Sequence, residues 1–295
     1  MPILFRLLSR LPLPLLQGLG ALLGWLLWIL SPALRQRFHA NVAQAGVDAR
    51  AARAAIAASG TMLAELPWLW LRAREVGVLQ RVEWDGAELF EAALARGKGV
   101  ILALPHLGCW EMIGQSIAEK YGTPPAGQSR AEHGPLVALY RPPRKAWLVE
   151  LVASSRERPG METVPTTLAG VRSLVRVLRG GGFTAILPDQ VPREGQGVWT
   201  EFFGRRAYAM TLLPRLAQQT GALVLMCWCE RLPGGRFRMH FEALGNLEQA
   251  LLAAPTADAE AGARAINAAM EHLIRRCPGQ YLWSYNRFKN PGSGA

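Results

Sequence analysis

The sequence contains only four cysteines among 295 residues, with no CxxC pair and no zinc-finger spacing. That excludes a cysteine-built metal framework; Cys227 and Cys229 alternate along an apolar run and read as buried thiols of a protein kept in a reducing compartment. There is no P-loop, no GxGxxG turn and no carboxylate cluster, so no nucleotide or metal cofactor is called for. Nor is there a helix-turn-helix signature, and the basic residues are scattered rather than clustered, which argues against nucleic acid as a partner. Acidic residues are scarce: 22 Asp and Glu face 33 Lys and Arg, giving a formal charge of +11 on a chain that is 50% hydrophobic. Such a mixture suits a folded body attached to an anionic membrane surface or working on acidic partners. No feature specifies an oligomeric state.

Charge is missing altogether between Arg10 and Arg35, where 24 residues read "LPLPLLQGLGALLGWLLWILSPAL". That length can cross a bilayer, and residues 1–35 are expected to form an N-terminal membrane anchor. The run is too long for a cleavable signal peptide, and no small-residue cleavage site precedes Arg35. The alternative is an apolar core helix, or one lying in the interface, with Pro12 and Pro14 breaking its first turn. Arginines flank both ends, so orientation is not fixed by the positive-inside rule; the cysteine usage favours a cytoplasmic body. Residues 36–290 are expected to form one domain and 291–295, "PGSGA", a flexible tail.

Beyond the anchor, residues 36–75 are alanine-rich with helical periodicity and end in "LAELPWLWLRA", where Pro67 interrupts the pattern. The Trp68 and Trp70 pair fits either an interfacial belt or a core. From residue 84 helices alternate with strands. Asp85 and Glu88 resemble a helix cap ahead of "AELFEAALAR"; "GVILALP" reads as a buried strand; "TTLAGVRSLVRVLR" is helical; "FTAILP" is a second strand, followed by Asp189 and Gln190. "ALVLMCWC" and "RFRMHFE" are further strands, the latter with Phe237, Met239 and Phe241 on one face, and a helix is expected around 257–276. The fold class is α/β, a largely parallel or mixed sheet covered on both faces by helices. In such sheets functional groups collect at strand carboxyl ends, which is where His106 and Asp189 fall.

"ILALPHLGCWE", residues 101–111, places a histidine after a core-like strand and a glutamate five positions later. On one continuous helix the two side chains would point about 140° apart. If His106 sits on a strand-to-helix turn permitted by Gly108, Glu111 falls in the first helical turn and can reach back to the imidazole. Such a carboxylate fixes the tautomer while the other ring nitrogen takes a proton from a hydroxyl, and the helix N-terminus can stabilise an oxyanion. Spacing alone reads first as a structural histidine; the apolar strand ahead of it and the anchor, which brings lipid within reach, turn the reading toward chemistry.

The block "HLGCWE", together with "ELPWLW" at 65–70, "LYRPPRK" at 139–145, "RERPGMETVP" at 156–165, "LPDQVPREGQGVWTEFFGRRAYAMTLLPRLA" at 187–217 and "PGQYLWSYNRFK" at 278–289, resembles the bacterial lipid A late acyltransferases, the lauroyl/myristoyl transferases of the wider HxxxxD/E glycerolipid-acyltransferase-like group. The resemblance covers nearly the whole chain. It implies transfer of a fatty acyl chain from acyl carrier protein (or coenzyme A) to a hydroxyl of a phosphorylated, acylated glucosamine disaccharide at the cytoplasmic face of the inner membrane. By the match His106 is the general base and Glu111 its partner, and the hydroxyl attacks the thioester directly, so Cys109, which replaces the family's usual Asn, is not a nucleophile. Arg141 matches an arginine thought to contact phosphate or the transition state, Asp189 matches a block that organises the site, and Arg287 and Lys289 are candidates for an anionic headgroup or the carrier. Phe202, Phe203 and Gly204 read as packing and turn residues. An acidic carrier and a phosphorylated acceptor would both be drawn to a +11 protein. The competing readings are acylation of another glycolipid or lipid, a catalytically silent membrane lipid-binding protein, and a thioesterase in which the same base activates water.

Overall fold

The protein is described from a computed structural model covering residues 3–123, 132–140, 158–253 and 258–292. In chain order the helices are α1 (Ile3–Ser9), α2 (Leu13–Leu30), α3 (Pro32–Ala45), α4 (Ala49–Ala64), α5 (Ala73–Val76), α6 (Ala87–Ala95), α7 (Trp110–Ile117), α8 (Leu168–Arg179), α9 (Leu212–Thr220), α10 (Gly245–Ala253) and α11 (Ala259–Arg276). The strands are β1 (Val82–Asp85), β2 (Val100–Ala103), β3 (Leu136–Tyr140), β4 (Met161–Pro165), β5 (Phe183–Ile186), β6 (Gly197–Phe202), β7 (Arg205–Met210), β8 (Leu223–Leu232) and β9 (Arg236–Glu242).

Seven strands form one sheet in the order β1-β9-β8-β2-β5-β3-β4. Every neighbouring pair is parallel except the β8–β9 hairpin. The α/β class and the two-sided cover expected from sequence are both present, and the reason is visible in β2. All four of its residues are fully buried, and they alternate between two hydrophobic clusters: Ile101 and Ala103 belong to the one that holds Leu174, Leu213 and Met270, whereas Val100 and Leu102 belong to the one that holds Phe90, Met112 and Phe237. Residues alternate faces along a strand, so an unbroken aliphatic run is the pattern a doubly covered strand requires. Burying each of Val100, Ile101 and Leu102 stabilises the fold by roughly 1.5–3 kcal/mol.

Several local expectations are revised. Asp85 does not cap α6; it ends β1, Gly86 occupies the cap position in the left-handed region, and the Asp85 carboxylate lies 2.7 Å from His240 Nδ1 instead. Trp68 and Trp70 belong to the core, 4% and 8% exposed, on a π-helical turn Trp68–Arg72 that follows Pro67. β4 and the β6–β7 hairpin, which forms a separate two-stranded sheet, are strands that hydropathy does not announce, because they carry Glu162, Glu201, Arg205 and Arg206 at exposed positions. Phe203 and Gly204 make the hairpin turn, both with positive φ, as the turn reading anticipates.

The apolar segment read as an anchor contributes α1 and α2, and α2 is built into the body along one face. Leu13 and Leu16 are buried in the core. Further along, Gly20 and Gly24 meet Gly60 of α4 so closely that a Cβ on Gly60 would lie 2.1 Å from the Gly20 carbonyl oxygen and 2.2 Å from the Gly24 nitrogen. Between these contacts Gln17 Nε2 donates to Glu65 Oε1 at 2.8 Å, and Glu65, fully buried, also receives Arg231 Nε at 2.9 and 3.0 Å. Burial works against the Arg231 charge, but Glu65 outweighs it and raises the guanidinium pKa. Breaking such a pair from one side strands a buried charge, at a cost of about 3–5 kcal/mol.

Gly60→Val is therefore expected to destabilise the protein by at least about 2 kcal/mol through overpacking of the α2–α4 contact. Chemical denaturation of the purified protein checks this; an unchanged midpoint would refute the close helix contact.

Candidate active site

The site is assembled by two equivalent strand ends. Parallel pairing puts Ala103 of β2 beside Ile186 of β5, and each strand continues with Leu and Pro: Leu104-Pro105-His106 and Leu187-Pro188-Asp189. The ladder persists one step further, Leu104 N–H donating to the Ile186 carbonyl at 3.0 Å. Proline offers no N–H to extend it, so both chains leave the sheet at the same level and their next residues meet. Asp189 Oδ1 lies 2.6 Å from His106 Nδ1, and Oδ2 accepts the His106 backbone N–H at 2.8 Å. One carboxylate thus fixes both the backbone and the ring of a single residue.

The rest of the turn is held by β8 and by the segment after α11. Gly108 has φ +62 and sits so near β8 that a Cβ would stand 1.9 Å from the Cys229 carbonyl oxygen, which only glycine tolerates. Gly108 N–H donates to Gln280, Cys109 N–H to Cys229, and Leu282 N–H to the His106 carbonyl. Tyr281 is buried and its hydroxyl donates to Asp189 Oδ2 at 3.2 Å. Burial, then Asp189, push the Tyr281 pKa far up, so it remains a donor.

Asp189 is 2% exposed. Burial alone would raise its pKa, but the His106 ring, the two hydrogen bonds from His106 and the more distant Arg287 outweigh burial and hold the carboxyl below its ordinary 3.8. An ionised carboxylate only accepts, so Nδ1 carries the proton, and in the neutral ring Nε2 keeps the lone pair. Gln190 Nε2 approaches that nitrogen at 3.1 Å. The ring also meets Trp110 edge-on, with centroids 5.2 Å apart. What emerges is an imidazole oriented through Nδ1, with Gln190 at Nε2, on the border of a shallow cleft lined by Ser59, Met62, Gly108, Gln280 and Leu282.

The carboxylate on the imidazole is thus Asp189, whereas the sequence reading gave that position to Glu111. Glu111 does fall in the first turn of α7, as expected, but its Oε2 accepts Trp70 Nε1 at 3.2 Å. The physical reason is the Pro-terminated strand pair, which delivers Asp189 to Nδ1 before α7 begins. Arg287, a candidate from sequence for an anionic headgroup or the carrier, is turned inward: it is 2% exposed, donates from Nη1 to the Tyr208 carbonyl at 2.8 Å and lies over the Phe202 ring. Burial lowers its pKa, with Tyr281 and Asp189 working the other way. Lys289 is half-buried with Nζ 5.9 Å from the centroid of the Tyr285 ring. Arg141 and residues 293–295 lie outside the described residues. Cys109 is buried, and burial followed by Glu65 pushes its thiol well up, which keeps it protonated. Among the described residues no cluster of His, Cys, Asp and Glu could hold a metal ion.

Sequence reasoning gave no role to Gln190, Tyr281 or Trp110. The repeated Leu-Pro-polar ending of two strands was the available signal that His106 and Asp189 are neighbours; Tyr281 and Trp110 carried none, since an aromatic in an apolar block reads as core.

The chain is similar to known proteins over most of its length. The family described as bacterial lipid A biosynthesis acyltransferase matches residues 2–290. A lipid A biosynthesis acyltransferase of Haemophilus influenzae is 26% identical over 205 residues, 69% of this chain and 58% of that protein. Phosphatidylinositol mannoside acyltransferases of Mycobacterium tuberculosis and Mycolicibacterium smegmatis are 30% and 32% identical, each across just under half of this chain and 43% of their own length. The chain spans about half the length of these curated relatives.

Two outcomes are expected for the pair. Ring ¹⁵N NMR should show a protonated Nδ1 on His106 in the wild type and in Glu111→Gln, and lose that signal in Asp189→Asn; loss in Glu111→Gln would put Glu111 on the ring. Because the folded-state pKa of Asp189 is depressed, its stabilisation is fully present above about pH 4 and is lost as pH falls through the folded value. The difference in Tm between wild type and Asp189→Asn should therefore shrink below pH 3.8.

Proposed function

This chain belongs to the bacterial lipid A biosynthesis acyltransferase family, and from that premise we propose that it moves a fatty acyl chain from a carrier thioester to a hydroxyl of an anionic glycolipid, with His106 as general base. The observation that carries the reading is the His106–Asp189 contact of 2.6 Å, which leaves Nε2 as the proton acceptor. Asp189 holds the tautomer and stabilises the imidazolium as the proton arrives. Deprotonated in this way, the acceptor hydroxyl attacks the thioester carbonyl; the tetrahedral intermediate collapses, the C–S bond breaks, and the imidazolium returns its proton to the departing thiolate. The N-terminus of α7 begins beside the ring and offers the positive end of its dipole to the developing oxyanion.

Gln190 yields its place at Nε2 to the acceptor hydroxyl. Glu111 acts as a positioning residue that ties α7 to Trp70, and Arg141 and Lys289 bind acceptor phosphate or the carrier, a duty for which cationic side chains suit both anions. Arg287 acts from beneath the site as a buried positive charge supporting ionised Asp189. Direct attack is supported by the protonated, buried Cys109, the cysteine nearest the histidine in sequence. The donor we assign is acyl carrier protein and the acceptor a phosphorylated, acylated glucosamine disaccharide, at the cytoplasmic face of the inner membrane. The mycobacterial relatives favour one second reading, a different anionic glycolipid as acceptor served by the same histidine.

The test is mass spectrometry of a tetra-acylated, phosphorylated disaccharide incubated with lauroyl carrier protein. One added acyl chain is expected with wild type. His106→Ala should lower the rate about 10²- to 10⁴-fold, the ordinary contribution of a positioned base, and Asp189→Asn should lower kcat with little change in KM. Equal turnover by His106→Ala would remove it as the base; transfer only to phosphatidylinositol mannosides would select the second reading.

A further inference from the structure

Helix α2 has the length and composition of a membrane span, yet one of its faces is engaged by protein. From Leu13 to Gly24 one face is committed to the protein: Leu13 and Leu16 in the core, Gln17 on the buried Glu65–Arg231 pair, Gly20 and Gly24 against Gly60. Past Gly24 only Trp25–Leu30 remains, about 9 Å of helix at 1.5 Å per residue, where the hydrocarbon core is about 30 Å thick. Even that end is tied back. Trp28 packs edge-on to His39 of α3, and Arg35 Nη1 caps α2 by donating to the Ile29 carbonyl at 3.0 Å.

The opposite face of α2 is unpartnered. Leu15, Leu19, Leu22, Leu26 and Ile29 recur at helical spacing, each between 46% and 69% exposed. α1 extends the surface with Ile3, Leu4 and Leu7, so that eleven of the fifteen large hydrophobics exposed among the described residues lie on these two helices. Exposed Arg6 and Arg10 precede α2 and exposed Arg37 follows it, cations matched to anionic lipid headgroups on a chain of charge +11. On the flank of the same helix, Gly24, Leu27 and Trp28 line an apolar cleft of about 100 Å³ that shares Ser59, Met62 and Leu282 with the cleft at His106.

We propose that α1 and α2 insert sideways into a single leaflet of an anionic membrane, with the α2 axis near the membrane plane and the Leu15–Ile29 stripe buried below the headgroups, so that the protein is held in one leaflet instead of crossing the bilayer. The physical basis is that an amphipathic surface with one face engaged by protein and the other apolar is satisfied at an interface, whereas spanning would pull Gln17, Glu65 and Arg231 toward hydrocarbon. The apolar cleft then opens at the leaflet, giving a lipid a lateral path to the histidine.

The experiment places nitroxides singly at Leu15→Cys, Leu22→Cys and Ile29→Cys in the full chain, bound to vesicles of three parts phosphatidylcholine to one part phosphatidylglycerol, and reads depth from the ratio of oxygen to nickel-chelate collisions. Native cysteines are replaced where they label. In-plane insertion predicts three similar shallow depths, about 5–10 Å below the phosphates. A span predicts Leu22 near the midplane with Leu15 and Ile29 toward opposite surfaces, and that result overturns the proposal. Labels that stay fully accessible to the nickel chelate, or that are shielded from both reagents as under a second protein copy, overturn it equally. As a second measurement, Leu22→Asp with Leu26→Asp should lower vesicle cosedimentation at least tenfold with an unchanged Tm in solution; unchanged cosedimentation also counts against it. Neither readout requires turnover, so loss of the acyltransferase reading would leave this result standing, and the reverse holds as well.

Discussion

The contact between His106 and Asp189 is the constraint around which the rest of the structure is arranged. It exists because two parallel strands run in register and stop at the same level, each with a proline that ends the ladder. The carboxylate then accepts from three groups, the His106 ring, the His106 backbone and the Tyr281 hydroxyl. A buried anion with that many donors is ionised despite its burial, and its ionisation is what sets the histidine tautomer. The chemistry of the ring is therefore a consequence of strand register.

Around this contact the packing is tight. Gly108 lets the histidine turn approach β8, and residues 278–289 return from the end of α11 to close the site with Tyr281 and to bury Arg287 beneath Asp189. Asn41 of α3 fastens the same returning segment by donating to the Trp283 and Tyr285 carbonyls. Helix α3 and the C-terminal segment of the described chain are thus joined directly.

A second buried pair, Glu65 with Arg231, does for the apolar N-terminal helices what Asp189 does for the ring. Glu65 follows α4, Arg231 lies on β8 close to the Gly108 turn, and Gln17 of α2 joins them. Buried pairs of this kind contribute little net stability but penalise alternative arrangements strongly, which suits a helix apolar enough to drift into lipid. The position of α2 is accordingly specified by polar atoms and glycines, while its exposed leucines determine what it meets outside the protein.

Periodicity was sufficient for β2, β5, β8, β9, α8 and α11, because each has a strong apolar pattern of its own; it failed for β4 and the β6–β7 hairpin, whose short strands are partly exposed. The α/β class, the strand-end location of His106 and Asp189 and the helical start after Gly108 were all legible along the chain, as was resemblance to an acyltransferase family. What the chain could not state was which carboxylate reaches the imidazole. Glu111 is five residues away and Asp189 is 83 positions away, and the nearer candidate is the natural one until strands are paired. The same holds for Arg287, polar in sequence and buried in fact, and for α2, whose apolar run fixes its hydropathy without fixing its neighbours. Local propensity and pattern are properties of a segment and can be read from it; the identity of a hydrogen-bond partner depends on strand order and register, and those are decided only when the sheet and its covering helices close together.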